Sequence, residues 1–147
     1  MSAARTNVRL RRVYDAPEPG DGFRVLVDRL WPRGLSKAAA RVDLWLKEVA
    51  PSTDLRRWYH ADLTRWAEFR RRYKAELSDR HGRARAALDE LRAIVREHSS
   101  QPARGRNGGT GGQGVTLVYG SKNAEQNHAL VLREVLLGRP GRGRGTG

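Results

Sequence analysis

Two short segments, far apart in the chain, constrain the fold more than any other feature. Each is an apolar, β-prone run that stops at a polar turn. The first is Val25-Leu26-Val27-Asp28-Arg29-Leu30-Trp31-Pro32-Arg33-Gly34. The second is Val115-Thr116-Leu117-Val118-Tyr119-Gly120-Ser121-Lys122-Asn123, leading into Asn127-His128. Crossover helices cover both faces of a parallel sheet, and its strands read as continuous apolar runs for that reason. The expected class is therefore α/β: a small, mostly parallel sheet flanked by helices in a single three-layer domain. In open sheets of this kind, ligands sit outside the carboxyl ends of the strands. If the two strands are parallel neighbours, Asp28, Arg29, Arg33, Ser121, Lys122, Asn127 and His128 converge on one mouth.

The rest of the chain supplies the flanking elements. Val8 to Tyr14 partly alternates apolar and charged residues, the period of a half-exposed strand. Phe23 to Leu30 reads as a central strand, stopped by Pro32, which cannot donate to a ladder. Ser36 is a candidate N-cap for a helix to about Val49, with Leu44 and Trp45 on its inner face. Ser52 or Thr53 caps the next helix, which ends near His60. A third begins at Asp62 or Thr64. Its apolar stripe is Trp66, Phe69, Tyr73 and Leu77, and Glu68, Arg71 and Arg72 make its solvated side. A fourth, over 83–98, uses Ala84, Leu88, Leu91 and Val95. The last is expected over 124–137, stopped by Gly138. Residues 1–7 read as a flexible basic N-terminus, 8–137 as the α/β domain, 99–114 as a flexible Gly-rich loop within it, and 138–147 as a disordered basic tail.

Charge raises the question of nucleic acid, since the formal net charge is +13 over 147 residues. Its distribution argues for a weaker signal. Residues 1–13, 99–114 and the tail after Gly138 hold nine arginines and no acidic residue, leaving +4 for the remainder. There is no cysteine, which excludes disulfides, thiolate metal sites and cysteine nucleophiles. The four histidines are scattered without metal-site spacing, so no metal site is expected, and the sequence leaves any cofactor unknown. No apolar run reaches membrane-spanning length. A soluble cytoplasmic protein without a membrane partner is the expectation.

Each chemistry-bearing residue has a functional and a structural reading. Ser121 and Lys122, beside helical N–H groups that lack intrahelical partners, would cradle an anion. Alternatively, Ser121 or Asn123 caps the helix. His128 lies on the inward stripe with Val131, Leu132 and Val135; it is either a packed core histidine or a general acid/base. Asn123 and Asn127 either bind ligand or fix the turn. Asp28 needs a partner at the end of a buried strand. It is the acid/base mate of His128, or it accepts backbone N–H bonds. Trp31 is core or a pocket wall, Arg29 a ligand contact, and Arg33 a guanidinium clamp for carboxylate or phosphate. The glycines of 99–114 precede a strand and lack a Gly-Lys-Ser/Thr ending, so they are not a P-loop. Gly-x-Ser-x-Gly is absent, so Ser121 does not sit in a nucleophile elbow.

Several strings within Val8 to Leu137 resemble the YeaO-like branch of the domain of unknown function 488 family. They are Arg12-Val13-Tyr14-Asp15, the stretch 22–34 ending Val-Asp-Arg-Leu-Trp-Pro-Arg-Gly, Ala50-Pro51-Ser52-Thr53-Asp54-Leu55-Arg56, and the stretch 117–132 containing Ser-Lys-Asn and Gln-Asn-His-Ala-Leu. The resemblance implies a small bacterial α/β protein and no particular activity. Other branches are similar at the same two places, with a final Cys-His-Arg. Here Asn127 stands for the cysteine and Ala129 for the arginine, so thiol chemistry does not carry over; only His128 matches. The leading expectation is a crevice for an anionic small molecule, phosphate- or nucleotide-like, with Asp28 and His128 as acid and base if it is an enzyme. The competing one is a nucleic-acid-binding or regulatory protein using the arginine-rich tails and Arg70-Arg71-Arg72. The sequence leaves the oligomeric state open.

Overall fold

A computed structural model describes residues 8–100, 114–123 and 125–138. The basic N-terminus 1–7, most of the Gly-rich stretch and the tail after Gly138 lie outside the described residues. Among the described residues four strands form the sheet: β1 (Val8–Arg12), β2 (Phe23–Leu26), β3 (Leu44–Trp45) and β4 (Val115–Tyr119). Their order is β1-β4-β2-β3, and every pairing is parallel. The two segments singled out in the sequence are thus hydrogen-bonded neighbours in parallel, with Val25 opposite Leu117 and Leu26 opposite Val118.

Strand alternation sends side chains to opposite faces. Val25, Val27, Val115, Leu117 and Tyr119 enter the main core. There they meet the helices α2 (Thr53–Ala61), α3 (Trp66–Ser78), α4 (Arg83–Ser100) and α5 (His128–Leu137). Leu26 and Val118 point the other way, into a small second core with Val13 and Ala40, covered by Trp31, Leu35, Val42 and Trp45. The flanking layers are therefore unequal: four helices on one face, and on the other the segment carrying the one-turn helix α1 (Lys37–Ala40).

The predicted stripes of α3 and α4 are buried as expected at Phe69, Tyr73, Leu77, Leu88, Leu91 and Val95. Ser52 caps α2, accepting from Leu55 N at 3.1 Å. A 3-10 turn, Leu63–Arg65, capped by Asp62, precedes α3.

Three boundaries differ from expectation. The helix expected from Ser36 to Val49 is only one turn long. Arg41 ends it in the left-handed conformation (φ 50°), and the chain then pairs with β2. Leu44 and Trp45 do face inward, but to opposite sides of the sheet. Sheet pairing overrides a local pattern that fits either element. Regular β2 stops at Leu26, although Val27 N still donates to Val118 O at 3.1 Å. Finally, α5 starts at His128, four residues later than expected, because Asn127 takes the N-cap.

Candidate functional site

The carboxyl ends of β2 and β4 are stitched together by one side chain. Asp28 Oδ2 accepts from Gly120 N at 2.8 Å. A Cβ on Gly120 would lie 3.1 Å from that oxygen, so the approach depends on glycine. Asp28 Oδ1 is closed to solvent and lies 3.3 Å from His128 Nε2. The same nitrogen is 2.9 Å from Val27 O. A carbonyl only accepts, so Nε2 carries hydrogen. Tyr73 packs edge-on against the imidazole and donates its hydroxyl to Val49 O at 2.5 Å. Burial pushes the Tyr73 phenol well above its ordinary range.

The β4–α5 turn satisfies itself. Ser121 Oγ accepts from Asn123 N. Asn123 Oδ1 accepts from Glu125 N and Gln126 N. Asn127 Nδ2 donates to Asn123 O at 2.7 Å, and its Oδ1 caps α5 by accepting from Ala129 N and Leu130 N. The helical N–H groups expected behind Ser121 as an anion cradle are therefore displaced along the chain and already engaged. Both asparagines fix the turn. Lys122 stays exposed at its tip and has no ion-pair or hydrogen-bond partner among the described residues.

These strand ends open into a crevice of about 580 Å³ whose opposite wall is α2. That volume falls inside the range of about 300–1,000 Å³ common to small-molecule sites. Asp28, Arg29, Ser121, Lys122, Asn123, Asn127 and His128 all line it. Two expected members do not. Trp31 belongs to the second core on the far face, where its Nε1 donates to Leu35 O at 2.7 Å and its ring meets Trp45 edge-on. Arg33 is exposed, and its contact is its own carbonyl accepting from Tyr14 OH at 2.9 Å. The chain turns away after Leu30 to build the second core, which carries both residues off the mouth. Arg29 lines the crevice, yet its guanidinium donates to Ala50 O and Pro51 O and lies 3.6 Å from Glu48. It anchors the entry to α2.

Sequence reasoning missed the α2 wall. Arg56, Tyr59 and His60 all reach the crevice. They stand at i, i+3 and i+4, one face of a helix. The Arg56 side chain makes no ion pair or hydrogen bond among the described residues; its backbone N–H donates to Ser52 O at 2.9 Å. Burial, followed by the charges of Arg56 and His128, lowers the His60 pKa below its ordinary 6.5. Burial raises the Tyr59 phenol, whose hydroxyl donates to Gln126 O at 3.3 Å. The spacing was visible in the sequence; what was missing was the placement of α2 over the strand ends.

Residues 7–99 match the sequence model of a family described as the inactive DUF488-N3 subclade. The chain belongs to the DUF488 family. The uncharacterized protein YeaO of Escherichia coli is 40% identical over 130 residues, spanning 88% of this chain and 96% of YeaO. The uncharacterized protein Rv3073c of Mycobacterium tuberculosis is 43% identical over 134 residues, spanning 91% and 97%. Mb3100c of Mycobacterium bovis, likewise described as uncharacterized, matches to the same extent. No solved structure gives a significant match. The DUF488 match contains β1 to β3 and the α2 wall, and it ends before β4, Gly120 and His128.

Proposed function

We propose that the crevice binds an anionic small molecule of the phosphate or nucleotide class. The observation that carries this is the pair Arg56 and Lys122. They line the crevice from two elements, α2 and the β4–α5 turn, and neither has an ion-pair partner among the described residues. Asp28, the acidic residue lining the same crevice, is already committed to Gly120 N and faces His128. An anion entering there gains two charge-assisted contacts without displacing an internal pair. His60 adds a third donor, since a nearby anion favours its protonated form.

Asp28 and His128 serve this site as its floor. Where they approach, His128 Nε2 is engaged with Val27 O and Asp28 Oδ1 is closed to solvent, so neither atom is free to exchange a proton with a ligand. The description of the matched subclade as inactive supports binding without turnover.

Thermal denaturation of the full chain in inorganic phosphate, against chloride at equal ionic strength, tests the proposal. Phosphate at about a hundred times its dissociation constant should stabilise by about 2.7 kcal/mol. Arg56→Ala and Lys122→Ala should each weaken binding by about tenfold. Equal melting curves in the two salts would refute an anion site. The nucleic-acid reading gains little from the helical surface. Arg71 and Arg72 share Glu68, and Arg70 and Lys74 share Glu134, so half the positive charge of that face is offset by its own carboxylates.

A further inference from the structure

The crevice is more apolar than a site for a bare inorganic anion requires. Pro51, Tyr59 and Phe69 contribute to its lining beside the charged groups. The exposed large apolar side chains of the described residues are Tyr14, Leu30, Leu63 and Leu137. Two of these four, Leu30 at 64% and Leu63 at 50% exposure, line this same crevice. They come from unrelated segments, the turn after β2 and the 3-10 turn between α2 and α3. Single exposed leucines need no explanation, but apolar side chains gathered at a concave mouth mark a binding surface. The charged groups stand beside them: Arg56 and His60 precede Leu63 on the α2 side, and Lys122 lies on the β4 side.

We propose that the ligand is an amphipathic anion, an acidic head group on a flat apolar body, with Leu30 and Leu63 contacting the body while Arg56 and Lys122 hold the head. This rests on the anion reading above and narrows it. Aryl phosphates and nucleoside monophosphates have this chemistry; inorganic phosphate and small aliphatic acids have only its charged half. Burial of the two leucines against the body adds apolar area removed from water, so the gain falls on affinity for the body alone.

The two halves separate in one experiment. Full-length protein is titrated calorimetrically with inorganic phosphate, phenyl phosphate and phenol at equal ionic strength. Phenyl phosphate should bind at least about tenfold more tightly than inorganic phosphate. The double substitution Leu30→Ser, Leu63→Ser should abolish most of that difference and leave inorganic phosphate binding unchanged. Both side chains are exposed, so the fold tolerates the change, and an unaltered melting temperature without ligand checks this. Equal affinities for phosphate and phenyl phosphate would overturn the amphipathic ligand and leave the anion site standing. A preference for phenyl phosphate that survives the double substitution would overturn the role given to the leucines. Phenol binding as tightly as phenyl phosphate, or no binding by either anion, would overturn this inference together with the anion site beneath it.

Discussion

At the scale of single residues, buried polar groups decide where the strands end. Asp28 is the hinge of the site because its carboxylate replaces the ladder bond that β2 no longer makes with Gly120. Gly120→Ala would bring a methyl group against that carboxylate. The close backbone–side-chain contact should then open at a cost of about 1–3 kcal/mol, measured by urea denaturation. Asp21, at the opposite end of the sheet, shows how a buried charge is kept. It is 2% exposed, and burial alone would raise its pKa. The Glu18 backbone N–H, Arg24 and Arg11 outweigh burial and hold it below the usual 3.8. Arg24 Nη1 lies 2.5 Å from its Oδ2, and Arg24 also donates to Ala40 O and Arg41 O. A depressed carboxyl pKa stabilises the fold above the unfolded-state value and loses that contribution as pH falls through the folded-state value. Stability should therefore fall below about pH 4 with a component that Asp21→Asn removes. At neutral pH that substitution leaves Arg24 buried without a full counter-charge and should cost about 3 kcal/mol or more.

At the scale of elements, caps and pairings set boundaries that periodicity alone did not. Arg41 occupies left-handed backbone space to end α1, a conformation that strains any residue with a Cβ. Arg41→Gly should raise stability by about 0.5–1 kcal/mol in thermal melts, because the backbone carbonyl that accepts from Arg24 is retained. Asn127 does the converse at α5, where Asn127→Ala should cost about 1–2 kcal/mol through lost cap bonds. The apolar stripes of α3 and α4 were legible because one side of each helix is buried along its length. The strand Leu44–Trp45 was not, because two residues carry no readable period and their pairing with Val25 and Leu26 is a tertiary contact. The late start of α5 was hidden for a related reason. Ser121, Asn123 and Asn127 are all competent caps, and only the tertiary position of the strand end selects among them.

At the scale of the whole molecule, the central expectation of the sequence was geometric, and β2 and β4 do lie side by side in parallel. Asp28 and His128 meet as that geometry implies. Trp31 and Arg33 were misplaced because a proline turn reverses the chain into the second core, and nothing local announces the direction of such a turn. Arg56 was overlooked, and His60 was read only as a hinge or rim residue, because the sequence does not say which helix will roof the strand ends. The formal charge of +13 is equally ambiguous at this scale, since much of it belongs to segments outside the described residues. Of the helical arginines, Arg70, Arg71 and Arg72 pair with Glu68 and Glu134. The most direct measurement of the anion site is a two-dimensional NMR titration of the full chain with inorganic phosphate, following backbone amides and the His60 imidazole. Shifts should concentrate at Arg56, His60, Lys122 and Asn123, together with a His60 pKa that rises on saturation as the anion offsets Arg56. Shifts confined to the arginine-rich ends, with His60 unmoved, would contradict the anion site.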